Sequence, residues 1–596
     1  MTLKNIRVSK PNCLRKCTRQ GAYDVSAVRL SLNFRADAET VFNIMQWRAI
    51  TFTGTILAAV FTLSCAGPQT SSKPQPHSEL KSILEHRLTW TGVPYRVKIA
   101  DEPIRAENAL PRFYKSRHYA AAWINDQGIG APAQRLIESI QAAEGDGLAP
   151  ESFHLAALKT LIEDLERRKQ LKMPLDTERL ADLEFLLTDA FLTLGGQLQS
   201  GRVKPKVPGY EWFIPQTDRK DLNAVLEQAL ATDSVAQSLT GLLPVSEEYK
   251  RLREAYQSYK KLALRGGWGL VPPGPRLKLG DRDKRVVLLR KRLAATQDLV
   301  ETVPPIDARI FDDALTEAIK HFQARHGLKP DGVLGAGTLS LLNVSAPKRL
   351  RQIKVNLERW RWLPKELGAR YLAVNIADFK LRVVENGASV LEMPVVVGTQ
   401  YRNTPVFTGS MSYVVLNPRW LVPQKIAVED LVPKIKKDPG YLGQNGFVVQ
   451  AKDQSGKWME TDAAAIDWQT IDDENFNYRI EQGPGPTNAL GRVKFMFPNR
   501  FNVYLHDTSS KEGFKKRVRT FSSGCIRVER PLDLLAYVLP GKDVKPEFES
   551  GTETKIMLPA PLTVHILYQT AWVDEQGLVQ FRPDLYGKDE LLDQFL

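Results

Sequence analysis

The chain has 596 residues, which is too long for a single hydrophobic core, so its length predicts three or four domains. Its hydrophobic content of 43% and charged content of 25% are those of ordinary globular domains. The net charge of +14 permits nucleic acid, an anionic membrane surface or an anionic polymer as a neighbour. The sequence has no zinc-finger spacing, basic-region helix or Walker loop, so we expect no nucleic-acid binding.

The N-terminal part carries an apolar run, "AITFTGTILAAVFTLSC", that ends at Cys65. A run of about fifteen apolar or small residues is short for a bilayer span and typical of the hydrophobic region of a signal peptide. We therefore expect an exported protein in which residues 45–65 are a signal peptide, residues 1–44 are a doubtful upstream extension, and the Pro/Ser-rich residues 66–78 are a linker.

The distribution of cysteines along the chain bears on the same expectation of export. Cys13, Cys17 and Cys65 lie in the N-terminal part, so Cys525 has no partner in the mature chain. An unpaired thiol in an oxidising compartment favours a reactive role over simple packing as a small hydrophobe. Cys65 resembles the lipidated cysteine of lipoproteins, although Thr62 departs from the branched apolar residue usual there, and both lipid attachment and simple cleavage remain open.

The rest of the chain predicts a multidomain α+β protein. Residues 79–275 are helix-rich, and "LEFLLTDAFLTLGGQLQSGRV" spaces its apolar residues along one helix face, which indicates a helical scaffold domain. Its three histidines, which are His86, His118 and His154, are expected to be surface or structural residues. After a Gly/Pro-rich boundary, residues 276–345 predict a small helical module, with Gly327 as a helix C-cap.

Beyond residue 345 the periodicity changes to that of strands. "YLAVNIADFKLRVVENGASVLEMPVVVG" alternates apolar and polar residues around an Asn386–Gly387 turn, which predicts a β-hairpin. We expect a β-rich domain over 346–545, a polar helical insertion over about 426–485 near the mouth of the site, and a C-terminal extension, 546–596, that packs on the scaffold or the catalytic domain.

Two segments of this domain carry candidate chemistry. Read as a strand, "FNVYLHDTSS" places Tyr504 and His506 on one face and Asp507 on the other. A nucleophilic thiol needs a base within reach, and the basic loop that separates His506 from Cys525 permits that contact. A backbone carbonyl, rather than Asp507, is the expected partner that orients His506. The alternative is that His506 is a structural histidine.

The residues around the thiol suggest an acyl-transfer site. Consecutive N–H groups at Ser523, Gly524 and Cys525 are candidate donors to an oxyanion, and a glycine at this position lets the backbone approach a substrate. The planar guanidinium of Arg527 suits a carboxylate, although a surface ion pair is an equal alternative for it.

Two resemblances follow from these motifs. "YLHDT…FSSGCIRVERP", supported by "MPVVVGTQYRNTPVFTG", "VLNPRWLVPQ" and "NALGRVKFMFPN", resembles the L,D-transpeptidase catalytic (YkuD-type) domain. Ser523 stands where the commonest signature of that family has a second histidine. "LGDRDKRVVLLRKRL" and "AIKHFQARHGLKPDGVLGAGTLSLL" resemble the peptidoglycan-binding domain type 1 family, a three-helix module. The larger periplasmic transpeptidases, with a scaffold domain and a capping insertion, resemble the chain over nearly its whole mature length.

The resemblance implies a cysteine-dependent acyltransferase that forms 3→3 peptidoglycan cross-links through a thioester, with no metal or organic cofactor. It implies Cys525 as nucleophile, His506 as general base and acid, the backbone at 523–525 as oxyanion site, and a substrate-binding set made up of Arg527, Tyr504, Ser522, Asn417 and Trp420. The expected partners are donor and acceptor tetrapeptide stems, with other cell-wall enzymes as further candidates and a membrane only through a signal or lipid anchor. The expected location is the periplasm or cell envelope, and carbapenem-type β-lactams are the expected inhibitors.

Two other functions remain open. An L,D-carboxypeptidase or another murein-peptide hydrolase would use the same Cys/His site, with water resolving the thioester. A non-catalytic peptidoglycan-binding protein would leave the pairing of His506 with Cys525 unexplained.

Overall fold

A computed structural model describes residues 76–89, 98–125, 128–205, 212–216, 218–301 and 305–596. The expected signal peptide, the lipidation candidate Cys65 and the linker up to residue 75 lie outside the described residues. The architecture is the expected α+β arrangement, with helices in the N-terminal part and a β-rich C-terminal part.

The scaffold domain is built around one long buried helix. In α5 (Thr177–Ser200) every residue from Leu183 to Leu192 is buried, because other helices surround this part of it. Its Glu184 accepts hydrogen bonds from the N–H groups of Trp123 and Ile124, each at 2.8 Å, which compensates for burial of the carboxylate. His154 is buried between Glu102 and Asp189 and has a structural role. The helices are α1 (Pro76–Thr89), α2 (Ala109–Ser116), α3 (Ala131–Ala142), α4 (Leu155–Gln170), α5 (Thr177–Ser200), α6 (Leu222–Ala231), α7 (Val235–Thr240) and α8 (Glu247–Leu264), with short strands β1 (Lys98–Ile99), β2 (Glu102–Pro103), β3 (Ile124–Asn125), β4 (Gly128–Ile129) and β5 (Trp212–Phe213).

The small module has three helices and a hydrophobic core of its own, as the sequence predicts. Its helices are α9 (Arg285–Ala294), α10 (Asp313–Arg325) and α11 (Ala336–Leu342). Gly327 follows α10 with φ of +67°, a left-handed backbone that favours glycine. The guanidinium of Arg325, which pairs with Asp298, also donates to the carbonyl of Val579 at 3.2 Å and so joins the module to the C-terminal part of the chain.

A long helix, α12 (Ala346–Arg361), leads into the main sheet of the C-terminal part, which starts with β6 (Arg370–Asn375), β7 (Lys380–Glu385), β8 (Ala388–Gly398) and β9 (Val406–Leu416). β7 and β8 form the predicted hairpin around Asn386 and Gly387, both with positive φ, which matches a turn of the I′ type.

An insertion then leaves the sheet and forms a second small core. Its elements are β10 (Trp420–Leu421), α13 (Gln424–Ile426), a π-helical turn over Ala427–Leu431, α14 (Val432–Lys437), α15 (Tyr441–Gln444), β11 (Phe447–Lys452), β12 (Trp458–Thr461) and β13 (Arg479–Gln482). The four strands form a separate sheet in the order β10-β13-β11-β12. The predicted insertion over about 426–485 therefore corresponds to an autonomous layer with its own apolar cluster.

The chain returns to the main sheet through β14 (Val493–Met496), β15 (Leu505–His506), β16 (Thr520–Ser522), β17 (Ile526–Val528), α16 (Pro531–Val538), α17 (Lys545–Glu549) and β18 (Thr554–Leu567). The last elements are β19 (Ala571–Val573), β20 (Val579–Phe581) and α18 (Lys588–Asp593). The strand order is β14-β15-β17-β8-β7-β6-β18-β9, and β14 also pairs with β9, so eight strands close into a ring. β5 pairs with β9, and β16 pairs with β8.

The predicted boundary at residue 545 does not match this sheet. β18 pairs in parallel with β6 and antiparallel with β9, so residues 546–596 are not an added extension but supply a central strand of this sheet. The hairpin of β19 and β20 then contacts the scaffold helix α8 and the module helix α10. Strand order cannot be read from local periodicity, because it depends on partners distant in sequence.

We predict that replacing a buried residue of β18 destabilises the domain that contains the main sheet. Ile566 is fully buried between β6 and β9, so Ile566→Ala should lower the free energy of unfolding by about 2–5 kcal/mol. Met557 in the same strand is 59% exposed, and Met557→Ala should change it by less than about 0.5 kcal/mol. Urea denaturation of the three proteins measures both effects, and equal effects would contradict the central position of β18.

Candidate active site

Three short strands bring the predicted site residues to one face. β14 pairs antiparallel with β15, and β15 pairs in parallel with β17, so that Lys494 lies opposite His506 and His506 lies opposite Arg527. The N–H of Ile526 donates to the carbonyl of Tyr504 at 3.1 Å. The same pairing therefore sets Tyr504 beside Cys525, two residues before His506 and Arg527 and on the same face. The side chains on this face line one cavity, and they are Lys494, Tyr504, His506, Cys525 and Arg527.

The thiol of Cys525 is half-buried, and among the described residues Cys525 is the free cysteine. Its Sγ lies 3.7 Å from the carbonyl oxygen of Asn502. Burial raises the pKa of the thiol, and hydrogen bonds from the backbone and side chain of Tyr504, together with the charges of Lys494 and Arg527, act in the opposite direction. Since burial dominates, the thiol is protonated at rest.

The imidazole of His506 is also neutral at rest. It is 4% exposed, and burial followed by the charge of Arg527 lowers its pKa to about 3. Its Nδ1 contacts the backbone carbonyl of Asp507 at 2.5 Å, and because a carbonyl only accepts, Nδ1 carries the proton and Nε2 is left basic. This is the carbonyl partner expected from the sequence.

The Asp507 carboxylate faces away from the imidazole. It accepts hydrogen bonds from the N–H groups of Arg492 and Thr508, at 2.8 and 2.7 Å. Among the described residues no hydrogen bond joins His506 to Cys525. The geometry therefore presents a neutral thiol and a neutral imidazole on one face, rather than a preformed ion pair.

The loop that carries the thiol corrects part of the predicted oxyanion site. The N–H of Gly524 donates to Ser522 Oγ at 3.2 Å, so this donor is occupied within the loop. The N–H groups of Ser523 and Cys525 have no partner among the described residues and remain available to an anionic oxygen. Ser522, predicted to bind substrate, uses its hydroxyl to donate to the carbonyl of Cys525 at 2.5 Å.

The backbone conformation at position 524 explains why a glycine stands there. Gly524 has φ of +115°, a backbone conformation that residues with a Cβ adopt at a cost, whereas the space around it would admit a methyl group. The buried Thr404 fixes this loop: its hydroxyl donates to the carbonyl of Gly524 at 2.8 Å and accepts the N–H of Gly398 at 2.9 Å. Tyr586, near the C-terminus, donates to the carbonyl of Gly398 at 2.7 Å and extends this support.

Ser523, at the position that departs from the common signature, is bound to the insertion. Its hydroxyl accepts a hydrogen bond from Arg402 at 2.8 Å. The same guanidinium pairs with both carboxylate oxygens of Asp430, at 2.6 and 3.0 Å, and with Glu429. Both carboxylates belong to the π-helical turn of the insertion, so the arginine connects the loop that carries Cys525 to that layer.

The cavity has a volume of about 1760 Å³ and is bounded by the ring of strands and the insertion. Trp420 lines it, as predicted. Asn417 does not: its buried side-chain amide donates to the carbonyl of Glu547 at 2.7 Å, so its predicted role in the pocket is wrong. Its φ of +47°, a conformation that asparagine tolerates, fits a structural role at the end of β9.

Sequence reasoning missed Lys494. In "VKFM" the buried Val493 and Phe495 alternate with residues that line the cavity, so the same strand phase that identified His506 also identifies this lysine. Thr404 and Arg402 gave no comparable signal, because they act through contacts with residues distant in sequence.

Within the described residues, no three or more histidine, cysteine or acidic side chains are grouped as a metal ion would require. None of the helices in this part of the chain has the length and apolarity needed to cross a membrane.

Comparison with known proteins agrees with this architecture. Residues 369–545 match the L,D-transpeptidase catalytic domain (YkuD), residues 282–342 match the "Putative peptidoglycan binding domain" family, and residues 108–255 match the "Scaffold domain" family. The chain thus carries a YkuD-family L,D-transpeptidase catalytic domain together with a scaffold domain and a peptidoglycan-binding-type module. The resemblances stated from the sequence are confirmed.

A curated relative from Haemophilus influenzae, described as "Putative L,D-transpeptidase", is 36% identical over 249 residues, which cover 41% of this chain and 49% of that protein. The match thus spans about half of the relative's length. Two solved L,D-transpeptidase structures, from Xylanimonas cellulosilytica and Stackebrandtia nassauensis, are each 15% identical over 50% of this chain and cover 100% and 96% of their own chains, with TM-scores of 0.16 and 0.20.

We predict that Thr404→Val destabilises the loop that carries Cys525. Valine would leave the buried carbonyl of Gly524 and the N–H of Gly398 unpaired, at a cost of about 1–3 kcal/mol each. Thr404→Ser keeps the hydroxyl and serves as the matched control. Denaturant unfolding measures the stability, and hydrogen exchange at residues 521–528 measures the loop. If the loop exchanges equally in both variants, this support is not needed.

We predict that the reactivity of Cys525 has no plateau near neutral pH. Because burial raises the pKa of the thiol, the thiolate fraction at pH 7 lies below the few per cent of a free cysteine. The rate of alkylation by iodoacetamide should therefore rise about tenfold per pH unit from pH 5 to 8. Mass spectrometry of the Cys525 peptide gives the rate, with Cys525→Ala as blank. A flat rate over this range would indicate a stable thiolate–imidazolium pair instead.

Proposed function

We propose that the protein is a cysteine-dependent L,D-transpeptidase that forms 3→3 cross-links between peptidoglycan stem peptides. The observation that carries the proposal is the placement of His506 and Cys525 on one face of a cavity inside a YkuD-family domain. The peptidoglycan-binding-type module of the same chain supports peptidoglycan as the substrate and the cell envelope as the location.

In the first half of the reaction, Cys525 attacks the carbonyl of the third residue, a diamino acid, of a tetrapeptide stem. The thiol proton passes to Nε2 of His506, which is the free nitrogen of the ring. The carbonyl oxygen becomes an oxyanion that the N–H groups of Ser523 and Cys525 can bind. The C–N bond then breaks, His506 returns the proton to the leaving amine, and D-alanine departs, leaving a thioester.

In the second half, the side-chain amine of a neighbouring stem attacks the thioester carbonyl. His506 accepts the amine proton and returns it to the sulfur as the C–S bond breaks, which restores the thiol. The neutral resting states of the Cys525 thiol and the His506 imidazole suit this order of steps. Each proton that is removed has an acceptor and is returned within one cycle. The exclusion of water from the cavity during this step would decide between cross-linking and hydrolysis.

We expect wild-type protein to release D-alanine from a disaccharide-tetrapeptide and to form a dimer, whereas Cys525→Ala should do neither. His506→Ala should slow the reaction by about 10²–10⁴-fold, since general-base catalysis is lost. Intact-protein mass spectrometry detects the thioester, and analysis of the products detects the dimer. Carbapenem-type β-lactams should acylate Cys525 and block both products.

The alternatives give different products. A carboxypeptidase would release D-alanine and leave tripeptide without dimer. A non-catalytic binding protein would give neither product and no acyl-enzyme, and that result would overturn the proposal. Mass analysis of the mature N-terminus tests the separate expectation of export, because lipid attachment at Cys65 and simple cleavage give different masses.

A further inference from the structure

The site contains two cations in a row that the catalytic pair does not require. Across the three adjacent strands, Lys494, His506 and Arg527 are direct cross-strand neighbours, so a cation lies on each side of the imidazole. All three side chains line the cavity. Cys525 and Tyr504 form the next row, one residue pair along the same face.

Neither cation has a counter-ion. Among the described residues, neither the Lys494 nor the Arg527 side chain makes an ion pair or a hydrogen bond, and Nε of Arg527 is buried without a partner. Nζ of Lys494 lies 3.9 Å from the centre of the Tyr504 ring, which directs it towards the row that holds the thiol. Glu553 makes no ion pair with Lys494, and only its charge acts on the lysine, by raising the pKa of Lys494. The Glu553 carboxylate accepts a hydrogen bond from the backbone N–H of Arg419.

Two of the three other arginines that line the cavity are paired with carboxylates, whereas the third, Arg479, lies over the ring of Trp458. Arg402 is held by Asp430 and Glu429, and Arg419 pairs with Glu481 at 2.8 Å. Among the described residues that line the cavity, Asp430 is the one acidic side chain, and it is paired with Arg402. No carboxylate of the cavity wall therefore remains to pair with Lys494 or Arg527. Burial lowers the pKa of Lys494, the effect expected of a cation that lacks an anionic partner.

We infer that Lys494 and Arg527 form a carboxylate-binding site beside the thiol, and that Lys494 is a specificity-determining residue for the free terminal carboxylate of the stem peptide. An anion binds there because it replaces the water that two partly buried charges have lost. The guanidinium offers a planar fork and the ammonium a point charge, so together they can hold one carboxylate from two sides.

The position of the site fits this particular carboxylate. One residue spans about 3.3–3.6 Å of extended chain, so the carboxylate one residue beyond the scissile carbonyl lies a few ångströms from a carbonyl held at the thiol. The identity of the carboxylate rests on the proposed function. The anion site itself rests only on the positions of the two cations.

The first test uses small alkylating probes and needs no transfer activity. Iodoacetate is an anion and iodoacetamide is neutral, so the ratio of their rates at Cys525 reports the local charge and cancels changes in thiolate fraction. Lys494→Gln should lower this ratio by about three- to tenfold at low ionic strength, and Lys494→Arg should keep it. An unchanged ratio in Lys494→Gln overturns the anion site.

Lys555 supplies the matched control. Lys555 lies on β18, and its Nζ is 4.1 Å from the centre of the Tyr413 ring, an arrangement like that of Lys494 over Tyr504. Lys555 does not line the cavity. Lys555→Gln should leave the ratio unchanged. If it lowers the ratio as much as Lys494→Gln does, the effect is one of overall charge and the proposed site is wrong.

The second test compares a tetrapeptide stem with its C-terminal amide. Lys494→Gln should raise KM for the carboxylate form about tenfold, with a smaller effect on kcat, and should leave KM for the amide unchanged. Equal effects on both peptides would overturn the assignment to the terminal carboxylate. If wild-type protein reacts with neither peptide, the proposed transfer reaction is wrong, and the alkylation ratio still decides the anion site.

Discussion

The parallel pairing of β15 with β17 is the constraint on which the site depends. It involves only two residue pairs, yet it sets Tyr504 beside Cys525 and His506 beside Arg527 on one face. A shift of the pairing by one residue would turn the imidazole into the core, because side chains alternate between faces. The ring of strands prevents that shift, since β14 and β8 hold the two strands from either side.

This arrangement also sets the protonation state of the site. The backbone carbonyl that holds Nδ1 of His506 gives the ring one defined tautomer, while burial and the adjacent guanidinium keep it neutral. Burial likewise keeps the thiol protonated, although two cations and Tyr504 oppose that effect. A neutral pair needs no charge separation in a cavity of low dielectric constant, where separated charges that lack water are unfavourable.

Much of the fold follows from local signals in the sequence. Asn386–Gly387 predicts the hairpin, the helix-face spacing predicts α5 and the module, and strand phase alone assigns Tyr504 and His506 to one face. The remaining features depend on distant contacts. Asn417 is held by the carbonyl of Glu547, the Gly524 N–H is taken by Ser522, and β18 inserts between two strands that lie about 140 to 190 residues earlier in the chain. Periodicity carries no information about such partners, so the pocket list and the domain boundary required the structure.

Ser523 illustrates why a departure from a signature does not imply a loss. Where the common signature has a histidine, the serine hydroxyl accepts a hydrogen bond from Arg402, whose other contacts are the carboxylates of the insertion. The insertion has a separate apolar core and a separate sheet, so without such contacts it could move against the ring of strands as a unit. A movement of that layer would therefore act on the guanidinium and through it on the loop that carries Cys525. One side chain thus links the part of the cavity wall that the insertion forms to the loop whose Ser523 and Cys525 N–H groups have no partner among the described residues.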